Sequence, residues 1–246
     1  MWRLRWYRRG VDRLLVLWDV DYTLVDSDGV GRELYRMAFT EMFGRPMPQP
    51  ASMAGRTDRA IAAEVLALAG VPQPQQHVDG LHALMAARAP GLADLVRERG
   101  RVLPGARQAL AALGDGRAGP GLVQSLLTGN IRPLAEVKLA PLGLTEHLDL
   151  DAGAYGDAHE VRAELVPVAR CNAARGYGPG FDGSATVLVG DTPFDVGAAL
   201  ATGARAVGVA TGSFTAQQLA AAGAQAVLPD LADTDRVLAA ILGQRP

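Results

Sequence analysis

The chain has 246 residues, 49% of them hydrophobic and 20% charged, with a net charge of -2. That balance suits a globular protein with room for one α/β domain or a core carrying an insert, and gives no reason to expect a nucleic-acid or membrane partner. A single cysteine, Cys171, excludes an intrachain disulfide and suits a reducing compartment.

Residues 1–13, MWRLRWYRRGVDR, carry five arginines and read as a solvated basic leader. The apolar run that follows is too short for a signal-peptide core, and no stretch approaches bilayer length, so the expected location is cytoplasmic. That run, LLVLW at 14–18, lacks alternation, as strands covered on both faces do. It ends on DVDYT, with Asp19 and Asp21. From 31 to 101 the patterns are helical, at 33–43, 58–69, 78–87 and 92–99, with Pro/Gln-rich turns between them and no strand. This reads as an all-helical cap, 31–101, inserted into a core formed by 12–30 and 102–246.

In the second core segment, strands at 122–127, 185–189, 206–210 and, more weakly, 226–228 alternate with helical spacing. The helices fall at 106–113, 133–142, 164–174, 195–201, 216–222 and 234–242. Such alternation predicts a doubly wound parallel sheet of the α/β class. Cys171 falls on one of these helices, where buried packing is the expected role.

Ligands of open α/β sheets bind beyond the carboxyl ends of the strands. Three strand ends stand out here: DVDYT, then SLLTGN with Thr128, Gly129 and Asn130, then VLVGDTPFD with Asp191 and Asp195. One Asp after a strand is usually a turn former or helix cap. Four on one sheet edge repel one another unless a cation neutralises them, and an all-oxygen acidic site suits Mg²⁺ beside a phosphate.

DVDYT, LLTGN and GDTPFD in this order resemble the haloacid dehalogenase superfamily of phosphatases, in its phosphoglycolate phosphatase-like branch, whose helical cap follows the first motif. The resemblance covers nearly all of the chain from Leu14 onward. It implies a Rossmann-like core and a phosphatase acting on a small phosphorylated metabolite, with Asp19 as nucleophile and Asp21 as acid and base. It further implies Mg²⁺ held by Asp19, the Asp21 carbonyl and Asp191, supported by Asp195. Thr128, Gly129 and Asn130 would then hold phosphoryl oxygens.

The resemblance also calls for a lysine near the start of the helix before the Asp-rich strand. GDAHEVRAELVPVA offers Arg162 there and no lysine, and Lys138, on the helix after Thr128, is the only lysine in the chain. We expect Lys138 to reach back to Asp19 and the phosphate, with Arg162 sharing that role or pairing with Glu164 or another acid. The plainer reading of Lys138 is an exposed residue paired with Glu136 or Glu146.

In the cap, MAGRTD suggests Thr57 or Asp58 as a helix cap. It also makes Arg56, with Thr57 beside it, a candidate for binding an anionic part of the substrate. Competing readings are a β-phosphoglucomutase-like phosphotransferase, a C–halogen hydrolase, and a binding protein that keeps the fold without catalysis. The substrate and the choice of monomer or homodimer are not legible in these motifs.

Overall fold

The computed structural model describes residues 13–50, 52–115 and 121–244; all of the basic leader except Arg13 lies outside the described residues. Strand β1 (Leu14–Trp18) is buried along its whole length because it runs between two others, β4 (Leu122–Leu126) and β5 (Thr186–Gly190). With β6 (Arg205–Val209) and β7 (Ala226–Leu228) they form a parallel sheet in the order β4-β1-β5-β6-β7.

The pleat sends alternate β1 side chains to opposite layers. Leu14, Val16 and Trp18 join an apolar cluster with α5 (Ala106–Gly114) and α10 (Thr234–Leu242). Leu15 and Leu17 join a second one with α7 (Leu165–Tyr177), α8 (Pro193–Ala201) and α9 (Ala216–Ala221). Helices therefore cover both faces of this sheet, which is why its central strands are buried on both sides. Each fully buried leucine here stabilises the fold by roughly 1.5–3 kcal/mol. Trp18 Nε1 donates to Gln124 Oε1 at 3.1 Å, so the one polar atom of the strand's largest side chain is satisfied.

The segment after β1 supplies α1 (Val30–Phe43), α2 (Asp58–Leu68), α3 (Gln75–Arg88) and α4 (Ala93–Arg99). These pack a third apolar cluster of their own, with Phe39, Leu66, Leu81 and Met85 at its centre. Ile131, Leu134 and Val137, at the start and along one face of α6 (Arg132–Leu139), join the same cluster, so the cap is seated on α6. Two short strands missed by periodicity, β2 (Val25–Asp26) and β3 (Arg101–Val102), pair antiparallel where the chain leaves the core and returns. At two residues each they are too short to show any alternation.

Cys171 is exposed, against the expectation of burial. The inward face of α7 carries Leu165, Val166, Ala169 and Ala173, and at 100° per residue Cys171 falls roughly half a turn away from it. Among the described residues no helix is long and apolar enough to cross a membrane.

Candidate active site

The sheet register builds the site. Trp18 pairs with Leu126 on one side and Val189 on the other. The residues that follow, Asp19, Thr128 and Asp191, therefore leave the same sheet edge together. Asp19 N–H still bonds Val189 O at 2.9 Å, fixing the first turn beyond the strand. Asp191 follows Gly190, where a side chain would overlap the Asp195 carboxylate. Asp195 is itself locked by a capping box: its Oδ2 accepts from Thr192 N–H at 3.1 Å and from the Thr192 hydroxyl at 2.6 Å.

Asp19, Asp191 and Asp195 are all buried, and one carboxylate oxygen from each lies within 4.8 Å of the others. Arg162, in the single 3₁₀ turn Arg162–Glu164 before α7, is buried among them. Its Nη2 lies 2.8 Å from Asp19 Oδ1 and 2.6 Å from Asp195 Oδ1. Lys138 takes a different partner. From α6 its Nζ donates to both oxygens of Asp21, at 2.8 and 2.6 Å, and to Asn130 Oδ1 at 2.8 Å. Gly31 of the cap leaves room for this, since a Cβ there would stand 3.3 Å from Nζ.

The expectation that Lys138 reaches Asp19 is thus corrected. Arg162 takes Asp19 and Lys138 takes Asp21, and neither uses Glu164, Glu136 or Glu146 among the described residues. The cause is chain geometry: Lys138 lies two helical turns along α6, on the side where Asp21 emerges, whereas the 3₁₀ turn brings Arg162 under Asp19.

Electrostatics follow from this packing. Burial pushes the Asp19 carboxyl up to about 6, with Asp195 and Asp21 adding to the rise and Arg162 opposing it. Burial, then Asp19 and Asp195, push Asp191 to about 9. Burial also acts to raise Asp21, but the Lys138 ammonium and hydrogen bonds from Asn130 and Ser27 leave it below the ordinary carboxylate range. Four carboxylates therefore face two cations, a deficit equal to one divalent ion. Oxygen-only donors at this spacing fit a hard cation such as Mg²⁺, and the raised Asp191 is the group such an ion would relieve.

Thr128 Oγ1 accepts from Asn130 Nδ2 at 2.8 Å, and that amide nitrogen also lies 2.8 Å from Asp21 Oδ2, so LLTGN and DVDYT form one network. Gly129 is where the cap crosses the core. Its carbonyl accepts from Asp58 N–H at 2.6 Å, and a Cβ there would run into the Arg56 carbonyl.

These residues open on a cavity of about 520 Å³, whose cap side includes Arg32, Tyr35, Ser52, Met53, Arg56 and Ile61. Thr57 does not line it. Its hydroxyl caps α2, accepting from Ala60 N–H and donating to Glu160 O at 2.9 Å, so the substrate-binding expectation for Thr57 is not met. Arg56 does line it, but its guanidinium is committed to Glu64 and to the carbonyl of Ser52 at 2.9 Å. Asp58, read from sequence only as a cap, is buried in the cavity wall. Its carboxylate accepts from Ile131 N–H at 2.7 Å and from the Tyr35 hydroxyl at 3.1 Å.

A family model described as haloacid dehalogenase-like hydrolase matches residues 16–200, and the chain belongs to that family. Among solved structures it is similar to a protein described as a predicted phosphatase from Clostridium acetobutylicum, at 17% identity and TM-score 0.64, covering 94% of this chain and 99% of that one. It is also similar to CbbY from Rhodobacter sphaeroides in complex with phosphate, at 20% identity and TM-score 0.63, covering 89% and 95%. A hydrolase from Pseudomonas syringae matches at 21% identity and TM-score 0.62, covering 91% and 96%. At these identities the likeness is one of fold. No curated protein sequence matches the chain.

Proposed function

We propose that the protein is a Mg²⁺-dependent phosphatase that hydrolyses a small soluble phosphomonoester in the cytoplasm. The observation that carries the reading is the pairing of two carboxylates with two separate cations, Asp19 with Arg162 and Asp21 with Lys138, in the wall of one cavity.

Arg162 holds Asp19 Oδ1, while Asp19 Oδ2 has no hydrogen-bond partner among the described residues. That free oxygen attacks phosphorus and the bond to the leaving oxygen breaks; that oxygen takes its proton from the protonated form of Asp21, the form that Lys138 disfavours. In the second half Asp21 takes a proton from water, the water oxygen bonds to phosphorus, and the phosphorus–oxygen bond to Asp19 in the acyl phosphate breaks to release inorganic phosphate. Lys138 favours the ionised form of Asp21 and so serves this second step. Thr128 and Asn130 border the place where phosphoryl oxygens gather, and Arg162 offsets their charge. A Mg²⁺ ion held by Asp19, the Asp21 carbonyl and Asp191, with Asp195 in support, would neutralise the approach of carboxylate to phosphate.

The test is release of p-nitrophenol from p-nitrophenyl phosphate with and without Mg²⁺, beside Asp19→Asn. Metal-dependent release that vanishes in the variant supports the reading. Turnover retained by Asp19→Asn at a tenth of wild type or more removes the covalent route. Phosphoryl transfer to added sugar in preference to water would move the protein to the phosphotransferases.

A further inference from the structure

Four cationic side chains line the cavity: Arg32, Arg56, Lys138 and Arg162. Three are committed. Arg162 pairs with Asp19 and Asp195, Lys138 with Asp21, and Arg56 with Glu64. Arg32 has no ion pair or side-chain hydrogen bond among the described residues, and it is exposed at the rim.

Its position is costly for a cation. Arg32 lies in the first turn of α1, beside Glu33, where the helix dipole disfavours positive charge. The N-cap, Gly29, offers no side chain to relieve it. A second, smaller cavity of about 250 Å³ shares Gly29 and Arg32 with the first and adds Arg36 and Arg99 to its walls. That wall also carries Asp28 and Glu33, and Glu33 takes Arg36 as its partner, so Arg32 and Arg99 are its cations without an ion pair among the described residues.

Resting on the phosphatase reading above, we propose that Arg32 is a specificity-determining residue. It binds an anionic group at the end of the substrate remote from the phosphoryl group that Asp19 attacks. The substrate class is then a phosphomonoester whose leaving group carries a carboxylate or second phosphate, and Arg56 shapes the loop without reading that charge.

The experiment measures binding to the Asp19→Asn variant in Mg²⁺ by calorimetry, using two pairs matched except for the far charge. They are glycerol 3-phosphate against 3-phosphoglycerate, and fructose 6-phosphate against fructose 1,6-bisphosphate. The anionic member of at least one pair should bind about fivefold or more tightly. Adding Arg32→Ala should erase that preference and Arg32→Lys should keep part of it, with thermal melting confirming that each variant folds. No preference in either pair, or a preference erased by Arg56→Ala and kept by Arg32→Ala, overturns the assignment. Wild-type hydrolysis of p-nitrophenyl phosphate is read separately. An active enzyme without the preference loses only the Arg32 inference. An inactive protein that still shows an Arg32-dependent preference loses the phosphatase reading and keeps Arg32 as an anion reader.

Discussion

Lys138 Nζ holds both carboxylate oxygens of Asp21, at 2.6 and 2.8 Å, while the rest of the lysine is almost wholly enclosed. The clamp joins the only lysine in the chain to the second aspartate of the first motif.

Removing the clamp should have a kinetic signature. Lys138→Ala takes away the group that keeps Asp21 below the ordinary carboxylate range, so its pKa should rise. Where Asp21 acts as the base, the acidic limb of the rate profile should move to higher pH, and the rate at neutral pH should fall by about tenfold or more. A pH–rate profile of wild type and variant checks both. An unshifted limb would separate Lys138 from the acid–base step.

Arg162→Ala should be harsher, because it leaves Asp19 and Asp195 buried without their cation. A loss of about 3–5 kcal/mol of stability is expected from breaking a buried pair on one side. Arg162→Lys should recover part of it, with one donor group in place of a fork. Urea unfolding of the three proteins gives the comparison.

Asp191 makes a prediction of opposite sign. Without metal its carboxyl is pushed up to about 9, chiefly by burial and then by Asp19 and Asp195. Asp191→Asn should therefore melt at or above the wild-type temperature in EDTA at pH 8. The same variant should lose the rise in melting temperature that Mg²⁺ gives wild type. A variant that still responds to Mg²⁺ would move the ion away from Asp191.

Asp58 should tie stability to pH. Burial lifts its folded pKa to about 7, above the roughly 3.9 of an unfolded chain. The folded state holds this proton more tightly, so the contribution is fully present below about pH 4 and is lost as pH rises through about 7. Relative to Asp58→Asn, wild type should lose on the order of 2–4 kcal/mol between pH 4 and pH 8. Denaturant midpoints of the pair across that range supply the measurement, and parallel curves would contradict it.

The central strands were legible because a strand covered on both faces leaves an unbroken apolar run, as LLVLW does. The strand ends were legible because Asp19, Thr128 and Asp191 follow such runs directly. The partnering of charges was not. Whether Lys138 or Arg162 meets Asp19 depends on how far a helix and a 3₁₀ turn carry each residue around the sheet edge, which spacing along the chain does not encode. In MAGRTD the capping role of Thr57 was legible and is observed, and Arg56 does line the cavity; what spacing did not show is that the Thr57 hydroxyl is used up as a cap and the Arg56 guanidinium is paired with Glu64. Cys171 was recoverable from helix phase, since the apolar positions of α7 already point away from it.

Arg162 also reaches the cap, where its Nη1 donates to the carbonyl of Gly55 at 3.3 Å. One guanidinium thus touches the proposed nucleophile and the cap loop beside it. Thermodynamic reciprocity then applies: if lifting the loop changes how firmly Arg162 holds Asp19, adding or removing charge at Asp19 changes the cost of lifting the loop by the same amount. Under the proposed mechanism, the charge state of Asp19 and the position of that loop would be linked through one side chain.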